Sequence, residues 1–269
     1  MHKLAQEAKT LLGQPVTRIT PLHGGDLSEV LRLHLADNTT VVVKSGPAPS
    51  SEAAMLRAIR ASGTPAPQVL AHSDSALILE DLPESGGLNA PAWGDLGAHL
   101  AILHATTGPR YGWHRDYAFG PVPILNTQHD TWPKFWSENR LLANLPQLPS
   151  AFRPDLERIA RVLPHHLPSN PPASLLHGDL WSGNVMVDGP RISALIDPAC
   201  YFGHGEVDLA MLSLFGRPSQ AFFEHYGTPT GDWVTRRAIY QLWPAIVHVR
   251  LFGAGYHGLL QRLIEQIPT

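Results

Sequence analysis

Three oxygen-bearing side chains, Asp179, Asn184 and Asp197, lie within the single stretch Ser174–Cys200 of this chain. Asp179 and Asn184 sit in a polar loop entered from the short apolar run Leu175-Leu176. Two further apolar runs follow, Val185–Val187 and Ile192–Ile196, and the Asp188-Gly189-Pro190 turn between them has hairpin chemistry. Asp197 closes the second run and Pro198 follows it at once, so that strand is expected to stop there. Two groups on a loop and one at a hairpin end can converge on one point. Hard cations that carry phosphate take oxygen ligands of this kind.

The interval between Asp179 and Asn184 is D-x-x-x-x-N, the spacing of the catalytic loop in protein kinases. In that chemistry the Asp accepts the proton of the attacking hydroxyl, while the Asn and a later Asp hold magnesium against the nucleotide phosphates. The plainer alternative is that Asp179 and Asn184 only make local turn bonds.

The motifs His-Gly-Asp-Leu-Trp-Ser-Gly-Asn at 177–184, Asp-Pro-Ala at 197–199 and Gly-His-Gly-Glu-Val-Asp-Leu-Ala-Met at 203–211 decide between them. Together they resemble the fructosamine-3-kinase and ketosamine-3-kinase family, within the wider aminoglycoside-phosphotransferase-like kinases. His-Gly-Asp with the downstream Asn and Asp marks the superfamily; Trp181 and the Gly-His before Glu206 mark the branch. The resemblance implies an α+β fold of protein-kinase type, with a small antiparallel-sheet lobe over residues 1–82 and a larger, mostly helical lobe over 83–269. It implies ATP and Mg²⁺ as cofactors and the 3-hydroxyl of a ketosamine as acceptor, either a small molecule or a sugar adduct on a protein lysine, with deglycation as the biological outcome.

The elements that must position these groups can be read from the N-terminus onward. Leu4, Ala8, Leu11 and Leu12 repeat at helical spacing and Gly13 stops them. Val16–Leu22, the alternation through Val30, Arg32 and His34, and Val41–Lys44 read as three strands, with the glycine turn His23–Ser28 after the first. Glycines there let backbone N–H groups approach phosphate, although Gly24-Gly25 alone fits no phosphate-loop pattern. Lys44 at the end of its strand is assigned to the phosphates, and Glu52, in the first turn of a helix expected to be capped by Ser50 or Ser51, is its partner in the family. A second hairpin, Val69–Ala71 and Ala76–Leu79, leads into Glu80-Asp81-Leu82, which the resemblance makes the hinge whose backbone meets the adenine edge.

Beyond Pro91 the texture is helical, and His104 reads as a buried packing histidine. Tyr111–Asn126 has no clear period and is expected to be a long loop, a length that is often functional, and the resemblance sets it beside the sugar cleft. Pro123-Ile124-Leu125-Asn126 departs from the Pro-Gln usual in the family, so no substrate contact is carried over at 124–125. Trp132–Leu142 and Arg153–Leu163 read as helices, with His165-His166 in a linker; 219–227, 233–252 and 254–266 close the chain as three more. Trp181 offers an apolar wall and one N–H donor to a sugar. His204 joins it as a substrate candidate through the resemblance. Asp208, inside an apolar helix start, requires hydrogen-bond partners; in related kinases that Asp braces the catalytic loop, and His177 shares the supporting role.

Composition excludes several other classes. With 43% hydrophobic and 16% charged residues the 269-residue chain can build an ample core, and a net charge of −3 without a basic run argues against nucleic acid. One cysteine, Cys200, precludes an internal disulfide. The fifteen histidines are scattered without metal spacing. No apolar run reaches membrane length and the N-terminus lacks a secretory core, so a cytoplasmic enzyme is expected, as a monomer or homodimer. Two rivals stand beside the ketosamine reading: a kinase of the same fold for an aminoglycoside, choline or homoserine-type acceptor, and a nucleotide-binding module without catalysis. All of Lys44, Asp179, Asn184 and Asp197 are present, which a non-catalytic module would not need.

Overall fold

The computed structural model describes residues 2–22 and 28–269. Helix α1 (Lys3–Leu12) precedes strands β1 (Val16–Leu22), β2 (Val30–Leu35) and β3 (Thr40–Ser45). Helix α2 (Pro49–Ala61) and the hairpin β4 (Val69–His72) and β5 (Ala76–Glu80) follow. The five strands form one antiparallel sheet in the order β1-β2-β3-β5-β4. Both of its faces are covered, and strand alternation sorts the side chains between them. Val41, Val43, Ala76 and Ile78 pack with Leu4, Ala5 and Ala8 of α1. Val42, Leu77 and Leu79 point the other way, onto Ala53, Leu56 and Ile59 of α2. Lys44 shares the face of Val42, two residues earlier, and is thereby aimed at α2.

The second half of the chain is mostly helical. Helix α3 (Ala90–Ala105) is capped by Asn89, whose side chain accepts the N–H of Ala92 at 3.0 Å. A hairpin, β6 (Tyr117–Phe119) and β7 (Val122–Ile124), is followed by α4 (Trp132–Phe135) and α5 (Arg153–His166). Strand β8 (Ser174–Leu176) pairs with β11 (Tyr201–Gly203), and between them β9 (Val185–Asp188) pairs with β10 (Arg191–Leu195). Helices α6 (Glu206–Leu212), α7 (Gln220–Tyr226), α8 (Trp233–Phe252) and α9 (His257–Glu265) complete the fold. This is the α+β arrangement expected from the motifs. Among the described residues no helix is long and apolar enough to cross a membrane.

Several local expectations are corrected. Helix α2 starts at Pro49, with Ala48 at the cap and no side-chain cap bond, because proline at the first position needs no N–H partner. The Tyr111–Asn126 stretch contains the β6–β7 hairpin rather than only loop. The helix from Trp132 widens to π geometry over Trp136–Leu141 and tightens to 3₁₀ over Leu142–Gln147. That irregular turn carries Arg140, fully buried, with its guanidinium 4.2 Å from the Tyr201 ring centroid and 4.8 Å from that of Phe135. His165 and His166 form the last turn of α5 instead of a linker.

Candidate active site

Lys44 is brought to its partners by the strand alternation above and by the first turn of α2. Its Nζ donates to Glu52 Oε1 at 2.9 Å and to Asp197 Oδ1 at 2.7 Å. Burial alone would depress this ammonium, but the charges of Glu52 and Asp197 outweigh it and hold the group above its ordinary value. Asp197 reaches Lys44 because β10 ends at Leu195 and the backbone turns left-handed at Asp197, with φ 55°. Aspartate tolerates that region better than most residues. The turn swings its carboxylate away from the hairpin and toward the sheet.

The loop that follows β8 is held from below. Asp208, fully buried in α6, accepts the backbone N–H of His177 at 2.7 Å and of Gly178 at 2.9 Å. His104 Nε2 stands 3.1 Å from the same carboxylate, and its Nδ1 is 2.7 Å from the Tyr226 hydroxyl. Burial would push the Asp208 carboxyl up; its hydrogen bonds and the neighbouring imidazoles prevail and hold it below the usual range. His177 is buried and held neutral: Nε2–H donates to the Ile196 carbonyl at 2.9 Å, and Nδ1 accepts the Asp179 N–H at 3.3 Å. Gly178 has φ 84°, and a Cβ there would lie 2.0 Å from the Ala199 carbonyl oxygen, so only glycine fits.

Asp179 and Asn184 therefore stand in fixed relation. Asn184 Nδ2 donates to the Asp179 carbonyl at 2.8 Å and to its Oδ2 at 3.2 Å. That leaves the Asn184 amide oxygen free to face a cation. Burial, with the negative charge of Asp197 adding to it, pushes the Asp179 carboxyl up to about 7. Among the described residues no cluster of three or more His, Cys, Asp or Glu could hold a metal by itself. One carboxylate and one amide oxygen fit magnesium, which takes few protein ligands and completes its shell with water and substrate phosphate.

Lys44, Asp179, Trp181, Asn184 and Asp197 all line one cavity of about 800 Å³. Trp181 is 39% exposed, and its ring lies over Gly183, where a Cβ would meet it at 2.3 Å. His204 is not brought to the cavity wall. Burial holds its imidazole down at about 4, and Nδ1 accepts the Tyr240 hydroxyl at 2.8 Å; Tyr240 is the residue that faces the cavity. Glu80, Asp81 and Leu82 also lie outside its lining. The Glu80 carboxylate accepts the Gln68 N–H, and Asp81 pairs with Arg32 at 2.8 Å. Gly24 and Gly25 lie outside the described residues.

Sequence reasoning placed the Tyr111–Asn126 stretch beside the cleft but missed the wall that α8 supplies. Tyr117 and Phe119 of β6 line the cavity, as do Tyr240, Trp243, His248 and Phe252 of α8. Tyr117 Oη stands 3.5 Å from Glu52 Oε2, at the limit of hydrogen bonding. A signal existed in Pro244, a proline inside an aromatic-rich helix. The helical spacing around His104 signals packing and gives no sign of its contact with Asp208.

A protein-family model described as fructosamine kinase matches residues 1–269. The chain is 35% identical over 228 residues to the probable ketoamine kinase of Synechocystis sp., covering 80% of this chain and 77% of that one. Among solved structures, a protein assigned as a fructosamine-3-kinase from Thermobifida fusca YX-ER1 superposes with a TM-score of 0.89 at 31% identity, covering 98% of each chain. A thermostable mutant of an aminoglycoside phosphotransferase, solved with AMP-PNP and hygromycin B, superposes with a TM-score of 0.68 at 16% identity, over 98% of this chain and 99% of that one. This last similarity speaks to the fold alone.

Proposed function

Since the chain belongs to the fructosamine kinase family, we propose that it transfers the γ-phosphoryl group of ATP to the 3-hydroxyl of a ketosamine. Residues 1–82 serve as the nucleotide-binding lobe, with the backbone of Glu80–Leu82 at the adenine edge, and 83–269 carry the catalytic loop and the acceptor cleft. Lys44, oriented by Glu52, grips the phosphates. Asn184 and Asp197 hold Mg²⁺, which neutralises charge on the phosphates when bound. Asp179 accepts the proton of the acceptor hydroxyl as its oxygen bonds to phosphorus and the bond to the ADP oxygen breaks. Phosphoryl transfer asks mainly for such positioning and charge compensation.

The carrying observation is the composition of the cavity. Among the described residues, the Asp, Glu, Lys and Arg side chains that line it are Lys44, Asp179 and Asp197, each with a place in the transfer chemistry, and the remaining wall is largely aromatic and aliphatic. A pocket for a polycationic aminoglycoside would need further carboxylates. A sugar joined to an amine needs an aromatic face and one base. The acceptor class then points to removal of glycation from amines or protein lysines, in a cytoplasmic setting.

Coupled ATP turnover on ribulose-lysine, fructose-lysine, kanamycin and choline tests this reading, with Asp179→Asn as the blank. Turnover on a ketosamine that disappears in the variant supports it. Turnover confined to kanamycin or choline overturns the acceptor class and leaves the phosphotransferase chemistry in place.

A further inference from the structure

The cavity has two chemically distinct ends. One holds Lys44, Asp179, Asn184 and Asp197. The other is built from α6, the segment after it, α8, and the turn Gly253–Tyr256, and it is walled by rings. His248 is the centre of that wall. Its ring centroid lies 5.0 Å from Phe215, 5.5 Å from Phe252 and 4.7 Å from Tyr256, and Phe252 and Tyr256 are 5.7 Å apart. Nδ1–H of His248 is committed to the Pro244 carbonyl at 2.7 Å, and burial lowers the imidazole below its ordinary range, so the wall is uncharged.

Two members of the wall are open to solvent beyond what packing requires. Phe215 is 44% exposed and Phe252 47% exposed, both at the cavity. Large apolar side chains exposed together beside a reaction site are a mark of ligand contact. The transferred group and the sugar hydroxyls need the polar end. What remains of a ketosamine is the substituent on its amine.

We propose that Phe215, His248, Phe252 and Tyr256 form a subsite for the amine substituent of the acceptor and select ketosamines of apolar, arylalkyl amines over those of free amino acids. The inference rests on the ketosamine reading above. A phenethyl group buries its ring against these faces. A glycine adduct brings a carboxylate to which none of these four side chains offers a cation, so burying it against them is costly. The sugar and the reacting hydroxyl are the same in both, which confines the difference to binding.

The test compares the ribulosamines of phenethylamine and of glycine as substrates of the full-length enzyme. The phenethylamine adduct is expected to show a KM lower by about tenfold or more, with kcat little changed, since apolar pockets discriminate on this scale. Phe252→Ala and Phe215→Ala are expected to narrow the difference, and Phe252→Leu to restore part of it. Calorimetric titration of Asp179→Asn protein with both adducts reads the same preference without turnover. Equal KM and equal affinity for the two adducts would overturn the subsite while leaving the kinase reading intact. No turnover of either adduct, and no binding, would overturn both.

Discussion

Lys44 Nζ and Asp197 Oδ1 stand 2.7 Å apart although 153 positions separate them in the chain. The same ammonium lies 2.9 Å from Glu52. One cation thus ties the sheet, its covering helix and the end of the β9–β10 hairpin. Both Lys44 and Glu52 are nearly fully buried, with side-chain exposures of 10% and 5%. Removing the cation strands a carboxylate in the interior. Lys44→Met is expected to lower stability by about 3–5 kcal/mol. Lys44→Met combined with Glu52→Leu should recover most of that loss. Urea denaturation of the single and double variants checks it; a Lys44→Met protein as stable as the parent would contradict the buried-pair account.

The proposed function makes Asp179 the base. Asp179→Asn should keep nucleotide binding and lose transfer by roughly 10²–10⁴-fold, the usual worth of general base catalysis. Nucleotide affinity and single-turnover rates measured on the same protein separate the two effects. Near-normal turnover would remove Asp179 from that role.

The same residue gives a stability test with a defined sign. Its carboxyl is pushed up to about 7 in the fold, whereas an unfolded aspartate titrates near pH 4. Between about pH 4 and pH 7 the native protein binds a proton that the unfolded chain does not, so this group's contribution falls as pH rises through that window. Without nucleotide or metal, Asp179→Asn should melt higher than the parent at pH 8, and the gap should close toward pH 5. A pH-independent difference would count against a raised Asp179 carboxyl.

Asp208 behaves in the opposite way. Its carboxyl is held below the ordinary range, so its contribution is present above the unfolded value near 4 and is lost as pH falls through its folded value. Asp208→Ala leaves the His177 and Gly178 N–H groups without their acceptor. A loss of about 2–4 kcal/mol is expected from one buried and one partly buried donor at about 1–3 kcal/mol each. Asp208→Asn keeps one acceptor oxygen and should lose less. Melting curves of both variants across pH 3–8, alongside ATP turnover, give the answer; an Ala variant with parental stability would refute the bracing role.

Cys200 is fully buried and burial pushes its thiol well up. It should resist Ellman's reagent in the native protein and react once denatured, and peroxide should produce no disulfide-linked dimer. A native thiol that reacts within minutes would show that this interior opens.

That Asp179, Asn184 and Asp197 would meet at one cavity was legible in the chain because their spacing is local. Asp179, Asn184 and Asp197 sit on one loop and one hairpin, and the hairpin registers as Val185–Asp188 against Arg191–Leu195, close to the apolar runs that announced it. The five strands were legible for the same reason: alternation of small apolar runs, broken by turns, reports which side chains face a covering layer. The convergence of Lys44 with Asp197, the His104–Asp208 contact and the arrival of β6 and α8 at one cavity depend on packing between distant elements. No periodicity encodes that. His204 shows the limit: its motif suggested substrate contact, yet Tyr240, 36 positions away, takes its ring nitrogen and occupies the wall instead. The sequence by itself singled out the groups proposed to do the chemistry; only the tertiary structure decided what surrounds them, because the far wall of the cavity is assembled from helix faces whose aromatic residues read, in one dimension, as ordinary core.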